Sequence, residues 1–205
     1  MLTSLRKITE ADAGLLVRWR NENAKFFPPQ APFTIESHLR WYRDSYMTDP
    51  GQNMFMVLLD HRPIGCLAMT IRDGRGELER MILGDKTVTR GGHMRAGFRQ
   101  LMDTYGLASY WLRIYPWNTV TINFHHRNGF HVTGKSVDSE YLIMERDGRQ
   151  PWPTPLSPCS ARPAPTSKSS TSLRYFGPAG GASARRRRNW KRSSPATSAL
   201  TMRWP

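Results

Sequence analysis

Apolar positions in the first 150 residues change period several times, and each change predicts an element. Leu2 to Ile8 is short and mixed, as a first strand would be. Thr9-Glu-Ala-Asp12 has the form of a capping box and opens a helix. Leu15, Leu16 and Trp19 recur there at helical spacing, while Arg18, Arg20 and Glu22 face elsewhere. Pro28-Pro29 forbids continuation. Thr34 reads as a second N-cap, ahead of a helix whose apolar face would be Ile35, Leu39 and Tyr42.

From Asn53 the pattern turns to strands. Residues 54–59 and 64–71 are apolar runs, joined by Asp-His-Arg-Pro, and Asp73-Gly74 predicts a hairpin into an alternating run, 77–83. A loop containing Gly91 and Gly92 follows, then a helix from about Met94 to Tyr105 with Phe98, Leu101 and Met102 as its stripe. Residues 110–115 read as a strand, and Asn118 to Arg127 as a helix stopped by Asn128-Gly129. Two closing strands complete the order β-α-α-β-β-β-α-β-α-β-β. This is an α+β pattern: a central, mostly antiparallel sheet with helices on both faces. The strands flanking the helix after the glycine loop should be parallel neighbours.

Composition divides the chain. The formal net charge is +14, but residues 151–205 carry ten Lys or Arg and no acid, leaving +4 for residues 1–150. We therefore expect one domain over 1–150 and a tail over 151–205. The tail is rich in Pro, Ser and Arg, too poor in apolar side chains to fold, and predicted to be disordered. Its run Arg185 to Arg192 can bind RNA or an anionic surface, or can be a solvated tail. The abrupt change after Gly148 also suits a read-through or frameshifted extension. The domain itself gives little reason to expect nucleic acid. No segment has the length of a membrane span or the form of a signal peptide, so a soluble, cytoplasmic protein is expected. Cys66 lies in an apolar run, predicting a core residue, and no metal site is expected.

The glycine loop carries the first candidate chemistry. Glycines at a strand-to-helix junction allow close backbone approach, and the helix start offers unpaired amides to an anion such as pyrophosphate. Arg90 and Arg95 flank it. Because the loop follows an antiparallel meander, a dinucleotide site of the parallel α/β type is disfavoured.

Further on, Asn118, Ile122, Gly129 and Phe130 fall at spacings that resemble the GNAT superfamily of acyl-CoA-dependent N-acyltransferases. The branch most resembled contains ribosomal-protein-alanine and amino-sugar-nucleotide acetyltransferases. RWRNENAKFFP (18–28) and HLRWY (38–42) are like that branch's first two helices, and the likeness spans about residues 3–146. The resemblance implies acetyl-CoA as donor and an amine as acceptor, on a small molecule or a peptide N-terminus. It leaves the oligomeric state open, a homodimer included. It implies cofactor contacts from Ile82, Leu83, Thr89, Arg90, Gly91, Gly92, His93, Met94, Arg95 and Asn118.

The loop departs from the family pattern of Arg or Gln, two variable residues, Gly, one variable residue, and Gly or Ala. With Gly92 as the first required glycine, Thr89 replaces the basic or amide residue and Met94 the last small one. Shifting by one keeps Arg90 first but puts His93 and Arg95 on the glycine positions; the first register is preferred. His125 stands where the family usually has Tyr, the acid that can protonate the departing thiolate. A histidine can serve in its protonated form or can merely pack. Glu79, nearer the middle of its strand, is the candidate base, acting through a water; a solvated strand residue is the alternative. Arg20, Asn21, Phe27 and His38 are the candidate acceptor contacts, whereas Trp19 and Trp41 read better as core. Two other functions remain open: nucleic-acid binding through the arginine tail, and acyl-CoA binding without catalysis.

Overall fold

The structure, a computed structural model, describes residues 1–27, 31–88, 92–138 and 140–154. Its elements, in order, are β1 (Thr3–Lys7), α1 (Ala13–Glu22), α2 (Ile35–Trp41), β2 (Gln52–Leu59), β3 (Arg62–Arg72), β4 (Arg75–Leu83), α3 (His93–Tyr105), β5 (Ser109–Ile114), α4 (Thr119–His126), β6 (His131–Lys135) and β7 (Leu142–Asp147). This is the order the apolar pattern predicts. The sheet runs β1-β2-β3-β4-β5-β7-β6, antiparallel except where β4 meets β5.

Local chemistry accounts for the boundaries. Asp73 and Gly74 take φ of +50° and +71°, the left-handed pair that a tight hairpin between β3 and β4 requires. The Thr9 amide donates to Asp12 Oδ2 at 2.7 Å, closing the front of a short 3-10 turn that precedes α1. Ser37 N donates to Thr34 Oγ1 at 3.1 Å at the start of α2.

Two cores lie on opposite faces of the sheet. One packs Phe98, Leu101 and Met102 of α3 over Val57, Leu67, Leu78, Tyr110 and Met144. Gly97 makes this possible: a Cβ there would stand 3.0 Å from Val57 Cγ1. The other packs Leu16 and Trp19 of α1 and Trp41 of α2 over Met54, Met56, Cys66 and Ile82. The buried face of α2 is His38 and Trp41, not the expected Ile35, Leu39 and Tyr42; Ile35 is 52% exposed. The indole of Trp41 outcompetes the smaller aliphatic positions for contact with β4.

The fold continues beyond the expected end at residue 150. Trp152 donates Nε1–H to Asp103 Oδ1 at 2.9 Å and lies against the guanidinium groups of Arg146 and Arg99. Arg99 Nη2 donates to Pro153 O at 3.1 Å. The expected disordered tail lies, from residue 155 onward, outside the described residues. No helix among the described residues is long and apolar enough to cross a membrane. No cluster of metal-ligating side chains occurs among them either.

Two histidines are held in these cores. His38 is 1% exposed and packs against Trp41 with its ring tilted by 46°, and burial, helped by the charge of Arg80, lowers its pKa to about 4. His125 is 3% exposed among Phe98, Phe124 and Phe130, and burial, then His126, lowers its pKa to about 3.

Truncation after residue 150 should cost about 1–3 kcal/mol relative to truncation after 154, because it removes the half-buried indole and its cation–π contacts. Equal urea midpoints for the two fragments would contradict this. The histidines predict acid sensitivity. Both have folded pKa values below the unfolded ~6.5, so the unfolded chain binds the extra protons. Their stabilisation is complete above pH ~6.5 and is lost as pH falls, by roughly 1.5–2 kcal/mol each between pH 7 and 5. His125→Phe should remove about half of that slope; an unchanged slope in chemical denaturation would show that the native ring takes up its proton.

Candidate active site

Beyond the pair Glu77 and Trp111, β4 and β5 separate. They pair only at Arg75 with Ser109, Gly76 with Tyr110 and Glu77 with Trp111, yet β4 runs on to Leu83 and β5 to Ile114. The cause is in β4. Its register against β3 shifts between Cys66 and Ala68, and Arg80 takes φ of +46°. Such a bulge bends a strand and re-aims its side chains. Past it, Ile82 and Leu83 pair with Cys66 and Gly65 on the β3 side, and none of the β4–β5 pairs reaches them.

The floor of the resulting cleft is charged and paired. Glu79 meets Arg80 Nη2 at 3.0 Å, and the Arg80 guanidinium lies 5.2 Å from the Trp41 ring. Arg113 Nη2 donates to Glu77 Oε1 at 2.9 Å. Burial, then the charge of Glu79, pushes the Glu77 carboxyl up, against the pull of Arg113. Burial also lowers the pKa of Arg80. Cys66 donates its S–H to Arg80 O, and burial pushes the thiol up to about 12, so it is no nucleophile.

At the cleft's other end α3 begins. Gly92 is its N-cap, with φ of +68° and no capping side chain. The amides of His93, Met94 and Arg95 precede the first full helical bond, Ala96 N to Gly92 O, and so have no partner within the helix. A Cβ added at Gly92 would meet nothing within 4 Å. An anion can therefore approach this backbone, and the helix dipole favours it. The side chains do other work. The His93 ring pairs with Thr3 Oγ1 at 3.1 Å, and Met94 lies over Gly65. Arg95 donates to Asn128 Oδ1 and Arg127 O, tying α3 to the end of α4 rather than flanking the anion site as expected. Thr89, Arg90 and Gly91 lie outside the described residues.

Asn118 caps α4, its Oδ1 accepting from Thr121 N at 3.3 Å. His125 does not meet the needs of the expected proton donor. Its aromatic surroundings keep the ring neutral at pH 7, and its buried Nδ1 finds no hydrogen-bond partner.

The four acceptor-side candidates divide. Asn21 clamps the chain ahead of α2, donating Nδ2–H to Phe33 O and accepting from Phe33 N, both at 2.9 Å. His38 is core. Phe27 packs against the α1–α2 core and carries the Arg20 guanidinium 3.7 Å from its ring centre. The same group lies 4.9 Å from the Phe33 ring. Arg20 is only 6% exposed, and burial lowers its pKa to about 10 with no carboxylate opposing. Two cation–π contacts at about 0.5–2 kcal/mol each only partly offset a desolvation penalty of several kcal/mol.

Sequence reasoning missed Arg80, the Glu77–Arg113 pair, and an aromatic group at the end of β5. There Tyr115 stacks on Trp117 at 5.1 Å and meets Tyr141 hydroxyl to hydroxyl at 3.0 Å. The aromatic residues of Tyr115-Pro-Trp117 were the available signal; the bulge at Arg80 left none. A surface depression of about 400 Å³ is lined by α1, the start of β3 and the segment that follows β4, Gly84 to Lys86. Two of its cations have acidic partners, Arg18 with Glu22 and Arg62 with Asp85.

Comparison with known proteins supports the same architecture. A family model described as an acetyltransferase (GNAT) domain matches residues 3–131. No curated protein matches the chain by sequence. Among solved structures, the PaiA N-acetyltransferase of Thermoplasma acidophilum, in complex with coenzyme A, is 21% identical. It covers 72% of this chain and 99% of its own, with a TM-score of 0.53. Aminoglycoside acetyltransferase AAC(6')-Ib, also with coenzyme A, is 18% identical over 71% of this chain and 95% of its own, with a TM-score of 0.61. A chimera of the spermidine N-acetyltransferase SpeG of Vibrio cholerae is 16% identical over 72% and 96%, with a TM-score of 0.62. At such identities these likenesses show the fold. The family match runs from β1 to the start of β6, across both the parting of β4 from β5 and the start of α3, and the chain therefore belongs to the GNAT family of acyl-CoA-dependent N-acetyltransferases.

Proposed function

We propose that this protein transfers the acetyl group of acetyl-CoA to a primary amine by direct attack on the thioester, without a covalent enzyme intermediate. The acceptor we propose is an amino sugar or sugar nucleotide, or a protein N-terminus, after the branch whose helices the sequence resembles. The structural relatives named for aminoglycosides and spermidine are also amine acetyltransferases. The observation that carries the reading is the parting of β4 from β5 beside a helix start capped by glycine backbone alone. Relatives of the same fold hold coenzyme A.

In this reading the amides of His93, Met94 and Arg95 take the pyrophosphate, and the backbone of Ile82 and Leu83 takes the pantetheine arm. Thr89, Arg90 and Gly91, which precede Gly92 in the chain, are further proposed cofactor contacts, as is Asn118 at the start of α4. Glu79 serves as base through a water. Its ion pair with Arg80 fixes the carboxylate at the floor of the cleft. Solvent protonates the departing thiolate, since His125 is held neutral in the core.

Acetyl-CoA at 100 times its dissociation constant should stabilise the protein by about 2.7 kcal/mol. Gly92→Val should raise that dissociation constant about tenfold or more, by placing a side chain in the open approach to the helix start and straining a left-handed position. Calorimetric titration checks both; affinity that survives Gly92→Val would move the phosphate site elsewhere. Glu79→Gln should spare CoA affinity and lower kcat at saturating acetyl-CoA by about 10²–10⁴. Unchanged single-turnover rates would assign the base to another group.

A further inference from the structure

We propose that Arg20 anchors an acidic group of the acceptor, so that the amine this enzyme acetylates also bears a phosphate or a carboxylate. The inference rests on the acetyl-transfer reading and names its substrate class.

The argument is one of charge. On the cleft floor the arginines have carboxylate partners, Arg80 with Glu79 and Arg113 with Glu77. The floor is thereby neutral. Arg20 differs. It is more than nine-tenths buried, yet among the described residues no carboxylate lies within ion-pair distance, and its contacts are the faces of Phe27 and Phe33. Contact with two ring faces restricts the guanidinium, and among the described residues its N–H groups make no side-chain hydrogen bond, which suits a two-point contact with carboxylate or phosphate. Desolvation without a counterion makes that contact stronger than at the surface.

Position agrees. Phe27, under Arg20, packs into the same cluster as Trp41, and Trp41 lies beneath Arg80 and so beside Glu79. Through this shared cluster we place Arg20 on the α1–α2 wall, on the side of the proposed base. A polycation would bring unfavourable charge to this wall, which separates the expected acceptor from aminoglycosides and polyamines.

The test uses the full chain saturated with CoA, so that the start of α3 is already occupied. Inorganic phosphate and, separately, acetate are titrated while the Arg20 Nε–H resonance is followed by NMR, its assignment given by its loss in Arg20→Met. A saturable shift is expected, and which ion produces it distinguishes phosphate from carboxylate. No shift with either ion overturns the proposal, whatever the activity.

A second arm measures acetylation of amine pairs that differ by an acidic group: glucosamine against glucosamine 6-phosphate, and tyramine against tyrosine. The parent enzyme should favour an acidic member in kcat/KM by about tenfold or more, chiefly through KM. Arg20→Met should bring the ratio towards one, and Arg20→Lys should restore part of it, with melting transitions confirming that both variants fold. Turnover with no preference, equal in parent and Arg20→Met, overturns the anchor and leaves acetyl transfer standing. A resonance shift without turnover of any amine supports the anchor and removes the acetyl-transfer reading.

Discussion

Arg80 holds a left-handed backbone conformation, φ +46°, which costs an L-residue with a Cβ about 1–2 kcal/mol. Its surroundings hold it there. Glu79 pairs with the guanidinium, and Trp41 lies beneath it. The bulge it makes ends the pairing of β4 with β5 after three residues. Without that bend β5 would continue along β4, and the sheet would have no opening in which a thioester could meet an amine. One strained residue thus links sheet geometry to site geometry, and the tryptophan that supports it belongs to the helical layer facing the acceptor.

The two cores have different tasks. The α3 side fixes the cofactor end. Gly97 lets α3 lie close over Val57, and Arg95 ties α3 to the end of α4, so the free amides after Gly92 sit on a braced helix. A braced donor set pays little reorganisation on binding an anion. The α1–α2 side fixes the acceptor end, through Asn21 on the backbone of Phe33 and through Trp41 under Arg80. Trp152 packs against the first core and donates to Asp103 near the end of α3, bracing the same helix.

Much of the fold was legible because its signals are local. Asp73-Gly74 dictates a turn and Thr34 a cap through the chemistry of neighbouring backbone groups. Alternation in 77–83 likewise predicts a strand that puts Glu77 and Glu79 on one face. What was not legible depends on contacts distant in sequence. The bulge at Arg80 is set by pairing with β3 and by Trp41, and the Glu-Arg sequence around it looks like ordinary alternation. The burial of His125 depends on Phe98 of α3 as well as on its neighbours Phe124 and Phe130. Position in a motif gave it the family tyrosine's place; tertiary packing gave it a different environment. By helical spacing Arg20 faces away from the stripe of Leu15, Leu16 and Trp19, and only the closure of Phe27 and Phe33 over it shows its burial.

The loss of a proton donor at His125 matters less than the motif suggests. A departing thiolate with a thiol-like pKa of ~8.5 takes its proton from water at pH 7 without a thermodynamic penalty. The amine is the harder half of the problem. An α-amine, with pKa about 8, needs only roughly 1.4 kcal/mol to reach its neutral form at pH 7, whereas a lysine-like amine near 10.4 needs roughly 4.6. The carboxylate available to help, Glu79, is held in an ion pair by Arg80, the residue that opens the cleft. An acceptor of modest basicity therefore asks less of this floor than a polyamine does. That conclusion, drawn from proton energetics, agrees with the uncompensated charge of Arg20, which disfavours polycations on electrostatic grounds.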